Sequence, residues 1–188
     1  MSALAQAGTV LVLGDSISAG YGLKKMEYGW VALLQDKLKT KGYSIVNASI
    51  SGETTAGGLA RIDELLARHK PAIVILELGG NDGLRGLSPK QMAANLQTMI
   101  ARSKAADAKV LLLGMQIPPN YGKRYADLFR DVYPELAKRE GVALVPFLLE
   151  GVGGQDHMMQ ADGIHPNQDA QALLTAQVWD KLQPLLGK

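Results

Sequence analysis

The chain has 188 residues, 47% apolar and 20% charged, and its 20 Lys plus Arg against 18 Asp plus Glu give a formal charge of +2. That balance belongs to one soluble globular domain, and no block of like charge is long enough to bind nucleic acid through its phosphates. With no cysteine, disulfides, thiolate metal sites and a cysteine nucleophile are excluded, leaving a small-molecule partner as the expectation.

Residues 1–8 read as an N-terminal tail. Ala5-Gln6-Ala7 has the small-x-small pattern that precedes signal-peptide cleavage. It reads either as the remnant of a trimmed leader, which would put the mature domain (9–188) in the periplasm or outside the cell, or as an alanine-rich tail without that meaning. No apolar run approaches membrane-spanning length, so no integral membrane segment is expected.

Beyond the tail, strand-sized apolar runs alternate with helical patterns. Thr9–Leu13 is the first strand. Apolar spacing through Gly29–Leu38 predicts a helix that runs to about Lys41 and stops at Gly42. Ser44–Ala48 is a short second strand. Leu59, Ile62, Leu65 and Leu66 mark a helix over Ala56–His69, ended by Pro71. Ala72–Leu78 (AIVILEL) is the most apolar strand. Ser88 and Pro89 open a helix over Lys90–Ala106 as N-cap and first-turn proline. Lys109–Met115 is the fourth strand, Arg124–Arg139 a helix, Val142–Val145 the fifth strand, and Pro166–Leu182 a closing helix.

Five strands separated by helices predict one doubly wound α/β domain with a parallel sheet. Ligands of such sheets bind beyond the carboxyl ends of the strands, and small polar residues recur at every one of those ends. GDSISAGYG (Gly14–Gly22) follows the first strand and Ser49–Thr55 the second. Gly79–Gly83 (GGNDG) follows the third, Gln116–Gly122 the fourth, and Asp162–Pro166 (DGIHP) lies after the fifth.

Acyl transfer needs a nucleophile, a base, a group that orients the base, and donors for the oxyanion. Ser16 lies just past the first strand, where it could attack. Of the three histidines, His69 ends a helix and reads as a solvated C-terminal residue, and His157 sits in a loop. His165 stands before a proline, with Asp162 three residues earlier in a glycine-containing turn. That turn can fold the carboxylate onto His165 Nδ1 and leave Nε2 facing a serine. A helix beginning at Pro166 would disfavour a protonated imidazole, which Asp162 would offset. The alternative is a plain Asp-Gly turn with His165 as a capping residue. Oxyanion donors could come from the Ser16 and Gly52 N–H groups and the Asn81 amide. GDSIS lacks the second glycine of G-x-S-x-G, so the strained elbow of the α/β-hydrolases is not supported.

Gly14–Ser16, Gly52 within SISGET, Gly79–Asp82 and Asp162–Pro166 together resemble, in order, the four blocks of the SGNH (GDSL-like) hydrolases. Within that family the likeness is to the periplasmic thioesterase, lysophospholipase and arylesterase group of Gram-negative bacteria. Ile17 stands where the GDSL pattern has leucine, a swap of similar apolar volume. The resemblance implies a flavodoxin-like three-layer α/β/α domain and a triad of Ser16, Asp162 and His165. It further implies an oxyanion hole of Ser16, Gly52 and Asn81, and neither metal nor cofactor.

Leu84, Ile117, Pro118 and Tyr121 flank the expected site. They could line an acyl groove, with Gly83, Gly86 and Gly122 allowing movement, or simply pin the loops to the sheet. Met158 and Met159 read as packing. The expected substrate is a small acyl ester or thioester, including aryl esters and lysophospholipids, and a monomer is expected. Two other readings stay open: a carbohydrate O-deacetylase of the same family, or a non-catalytic module holding FMN phosphate on the GDSISAGYG loop.

Overall fold

A computed structural model describes residues 8–187. Its five strands, β1 (Gly8–Gly14), β2 (Tyr43–Asn47), β3 (Ile73–Glu77), β4 (Lys109–Leu113) and β5 (Ala143–Val145), form one all-parallel sheet in the order β2-β1-β3-β4-β5. The strands expected from the sequence are all present. β1 begins at Gly8, one residue into the expected tail. Ala5-Gln6-Ala7 lies outside the described residues.

Burial explains the composition of the strands. Every residue of β3 and four of the five in β4 are buried, as both faces of a central parallel strand must be. The edge strand β2 is only partly buried past Tyr43. Helices α2 (Trp30–Lys39) and α7 (Gln171–Leu182) pack together on one face. Helices α3 (Thr55–His69), α5 (Pro89–Ala105) and α6 (Lys123–Glu140) pair side by side on the other. Ser88 caps α5 through the Gln91 N–H with Pro89 in its first turn, as the sequence indicates.

Two short helices follow β1 and β3 where the sequence suggested loops: α1 (Ser16–Ala19) and α4 (Gly80–Leu84). The closing helix starts at Gln171 rather than Pro166. Pro166 instead bridges Met159 in extended backbone, and Asn167 Oδ1 accepts the Asp169 and Ala170 N–H groups, turning the chain before a helix can form. His165 is therefore not at a helix N-terminus, and the expected dipole effect on its ring does not apply.

Order 2-1-3-4-5 has its switch point between β1 and β3. Their register pairs Gly14 with Glu77, so the turns that carry Ser16 and Asn81 leave the sheet side by side.

Candidate active site

Ser16 is the first residue of α1, and Asp15 is its N-cap, accepting the Ile17 N–H at 3.0 Å. A capped turn holds the serine more firmly than an open loop would, a bond worth about 1 kcal/mol. Ser16 is 8% exposed, and its Oγ lies 2.8 Å from His165 Nε2. His165 Nδ1 lies 2.6 Å from Asp162 Oδ2. The other Asp162 oxygen accepts the N–H groups of Ile164 and His165, at 2.9 and 3.0 Å. Burial would raise the Asp162 pKa, but the His165 N–H and ring and the Ile164 N–H outweigh it and hold the carboxyl at about 2. An ionised Asp162 makes Nδ1 the donor and leaves Nε2 as an acceptor for the serine proton. The Tyr21 ring lies 4.6 Å from the His165 ring.

The three expected oxyanion donors are Ser16 itself, Gly52 and Asn81. Gly52 sits at φ +79°, a conformation glycine adopts without strain, and its carbonyl is tied to Arg85 Nη2 at 2.8 Å. Among the described residues, neither the Ser16 nor the Gly52 N–H has a protein acceptor. Asn81 lies two residues after Gly79, whose φ is +117° and where a Cβ would fall 2.2 Å from the Tyr133 hydroxyl. The Asn81 amide nitrogen donates to Asp15 Oδ2 and to the Glu53 carbonyl, both at 3.0 Å. The next residue, Asp82, is buried and accepts the Thr55 N–H and hydroxyl, anchoring α4 to α3.

Of the expected groove residues, Leu84 is half-buried, Ile117 buried, and Pro118 and Tyr121 exposed. The Tyr121 hydroxyl donates to the Leu84 carbonyl at 2.9 Å, joining the loops after β3 and β4. Gly83 is buried against Ile117 and Phe129, so it serves close packing, whereas Gly86 and Gly122 have open space. Met158 and Met159 pack against the core. His69 ends α3, which runs back toward the amino ends of the strands, and His157 is exposed. Among the described residues no cluster of His, Asp and Glu could hold a metal, and no helix is long and apolar enough to cross a membrane.

Asp15 and Glu77 are not among the residues the sequence pattern points to. Glu77 is fully buried at the end of β3 and accepts the Asp15 N–H at 3.1 Å and the Ser18 hydroxyl at 2.6 Å. A single carboxyl inside AIVILEL was the available signal, since a charge in a doubly buried strand demands a reason.

A serine, a histidine and an aspartate in one hydrogen-bonded line at the switch point of a flavodoxin-like sheet are the architecture of a serine hydrolase. The model of the GDSL-like lipase/acylhydrolase family matches residues 12–173. Esterase TesA of Pseudomonas aeruginosa is 59% identical over 184 residues, covering 97% of this chain and 91% of that protein. Thioesterase 1/protease 1/lysophospholipase L1 of Escherichia coli K12 is 49% identical over 183 residues, covering 97% and 87%. The crystal structure of TesA superposes with a TM-score of 0.91, at 59% identity, over 95% of this chain and 99% of that one. A structure of the psychrotrophic esterase EstA from Pseudoalteromonas sp., inhibited by monoethylphosphonate, gives 0.89 at 42% identity over 96% and 99%. The chain belongs to the GDSL-like lipase/acylhydrolase family and is an acyl hydrolase.

Proposed function

We propose that the protein hydrolyses carboxylic esters and thioesters of acyl chains, aryl esters and lysophospholipids among them, through an acyl-enzyme on Ser16. His165 Nε2 takes the serine proton as Oγ attacks the carbonyl carbon. Asp162 steadies the imidazolium that forms, and the Ser16 and Gly52 N–H groups and the Asn81 amide receive the developing oxyanion. His165 then gives its proton to the leaving alcohol or thiol. Water, activated by the same nitrogen, releases the acid. The observation that carries this reading is the unbroken line from Ser16 Oγ to His165 and Asp162, at 2.8 and 2.6 Å. The names of the similar proteins, esterase and thioesterase 1/lysophospholipase L1, support the substrate range.

Leu84, Ile117, Pro118 and Tyr121 are proposed to meet the acyl chain, and the enzyme to act as a monomer in the periplasm or outside the cell. The test is kcat/KM for p-nitrophenyl esters from acetyl to palmitoyl, with Ser16→Ala alongside. Ser16→Ala should lower kcat by about 10⁴–10⁶, and the intact enzyme should prefer chains longer than acetyl. Activity confined to acetyl would refute the substrate reading. Undiminished turnover by Ser16→Ala would refute the mechanism.

A further inference from the structure

Asn81 presents an ambiguity that the oxyanion hole cannot tolerate. Its amide is nearly symmetric in shape, and a half-turn about χ2 exchanges the NH₂ for the carbonyl oxygen, replacing a donor with a repulsive acceptor. Two acceptors, Asp15 Oδ2 and the Glu53 carbonyl, each 3.0 Å from Asn81 Nδ2, remove it. The Glu53 carbonyl is main chain. Asp15 is the side chain that chooses the orientation, and through its other oxygen it caps the helix that begins with Ser16.

Asp15 is itself held from behind. It is 2% exposed, and its N–H is bound by Glu77 Oε2. Gly14 makes this approach possible, because a Cβ there would lie 2.7 Å from Glu77 Oε2 and 2.6 Å from the Ser18 hydroxyl. Among the described residues, Glu77 Oε1 is buried without a hydrogen-bond partner.

We propose that Asp15 is a positioning residue: one carboxylate holds one N–H of Asn81, so that the other can turn from the Glu53 carbonyl to the substrate oxyanion, and caps the turn that presents Ser16, with Glu77 behind it. Two carboxyl groups this close and this buried cannot both be ionised. Burial and the Asp15 charge push Glu77 well above the usual range, so Glu77 keeps the proton. Burial also raises Asp15, to about 6, opposed by the Ile17 N–H, Glu77, His165 and Asn81, which leaves it an anion at neutral pH. Only the ionised form offers an acceptor to Ile17 and Asn81 at once without its own proton intervening.

The inference rests on the proposed role of Asn81, so the experiment separates the two. In Asp15→Asn, one oxygen must serve two donors, and either the helix cap or the Asn81 contact is lost. kcat should fall about 10- to 100-fold with KM within about twofold, below the 10²–10³ expected for Asn81→Ala itself. In the Asn81→Ala background the same change should cost no more than about twofold, because the one remaining oxygen can then serve the Ile17 cap alone. Unchanged kcat in Asp15→Asn, or an equal loss in both backgrounds, would overturn the inference and leave the acyl-enzyme reading standing. Undiminished turnover by Ser16→Ala would overturn both. If Asp15→Asn does not fold, the unmodified protein still decides. The Asn81 side-chain amide protons should exchange slowly with solvent in NMR spectra, and exchange as fast as a free amide overturns the proposal.

Discussion

Replacing Asp162 with Asn tests the geometry of the base directly. Asp162 Oδ1 accepts two N–H groups, from Ile164 at 2.9 Å and His165 at 3.0 Å. Those donors will hold the carboxamide oxygen of an asparagine in the same place. Its NH₂ then faces His165 Nδ1, where Asp162 Oδ2 now stands at 2.6 Å. The ring must answer by moving its proton to Nε2, which turns the 2.8 Å contact with Ser16 Oγ around and leaves the serine without an acceptor. Reaching the productive tautomer forfeits a charge-assisted hydrogen bond, about 1.5–3 kcal/mol, and sets two donors face to face, about 1–3 kcal/mol more. The Asp162 side chain is 38% exposed, so water can relieve part of the second cost. A net of about 3–5 kcal/mol corresponds to about 10²–10⁴ in kcat. KM should change little, since no substrate contact is removed. The assay is p-nitrophenyl butyrate hydrolysis under saturating substrate, with circular dichroism to verify the fold. A folded Asp162→Asn enzyme within about threefold of the parent kcat would refute the reasoning.

Two further predictions concern stability. In Gly83→Ala the new Cβ would lie 2.4 Å from Ile117 and 2.7 Å from Phe129, both buried, so overpacking should cost about 1–3 kcal/mol. It should appear as a lower urea midpoint at unchanged m-value, and an unchanged midpoint would show that the site has slack. The carboxyl groups set opposite pH trends. Asp162, lowered to about 2 in the fold, contributes stability above about pH 4 that is lost as pH falls through 2. Asp15, raised to about 6, contributes most below about pH 4 and loses that contribution as pH rises through 6. The stability of Asp15→Asn relative to the parent should therefore climb between about pH 4 and 7, and a difference that stays flat across that range would contradict the assignment.

The sheet was legible in the sequence because a parallel strand buried on both faces leaves a continuous apolar run, and each long helix repeats its buried residues every three or four positions. Ser16 and Asn81 are legible for a related reason, polar residues gathered at the ends of such strands, and Asp162 and His165 from their spacing before Pro166. The helices of four and five residues after β1 and β3 were not. They are too short for periodicity and depend on single side-chain bonds, the local Asp15 cap of α1 and the distant Asp82–Thr55 bonds of α4. The start of α7 is not legible because proline is equally at home at N1 of a helix and in extended chain. A tertiary pairing, Met159 with Pro166, decided between them. Asp15 stands between the glycine and the serine of GDS, a stretch that reads as a phosphate-cradling loop or a nucleophile and hides the carboxylate's own role.

The two halves of the site are anchored by different means. Ser16 and Asn81 leave the central strands β1 and β3, and buried side chains behind them, Asp15, Glu77, Asp82 and Thr55, fix the turns. His165 and Asp162 have no strand beneath them, because β5 ends at Val145 and the chain then runs through an irregular stretch. Gln160 supplies the missing support. Its N–H donates to the His165 carbonyl at 2.8 Å, its carbonyl accepts the Gly163 N–H at 3.0 Å, and its side-chain amide donates to the carbonyls of Tyr21 at 2.8 Å and Pro166 at 3.1 Å. One residue thus closes the turn that carries the base and ties it to the loop following the nucleophile. The ties run to backbone carbonyls, whose positions vary less than those of exposed side chains. A 2.8 Å serine–histidine contact can therefore be kept between a rigid sheet end and a loop, which proximity catalysis requires when a misplacement of about 1 Å costs about 10²-fold.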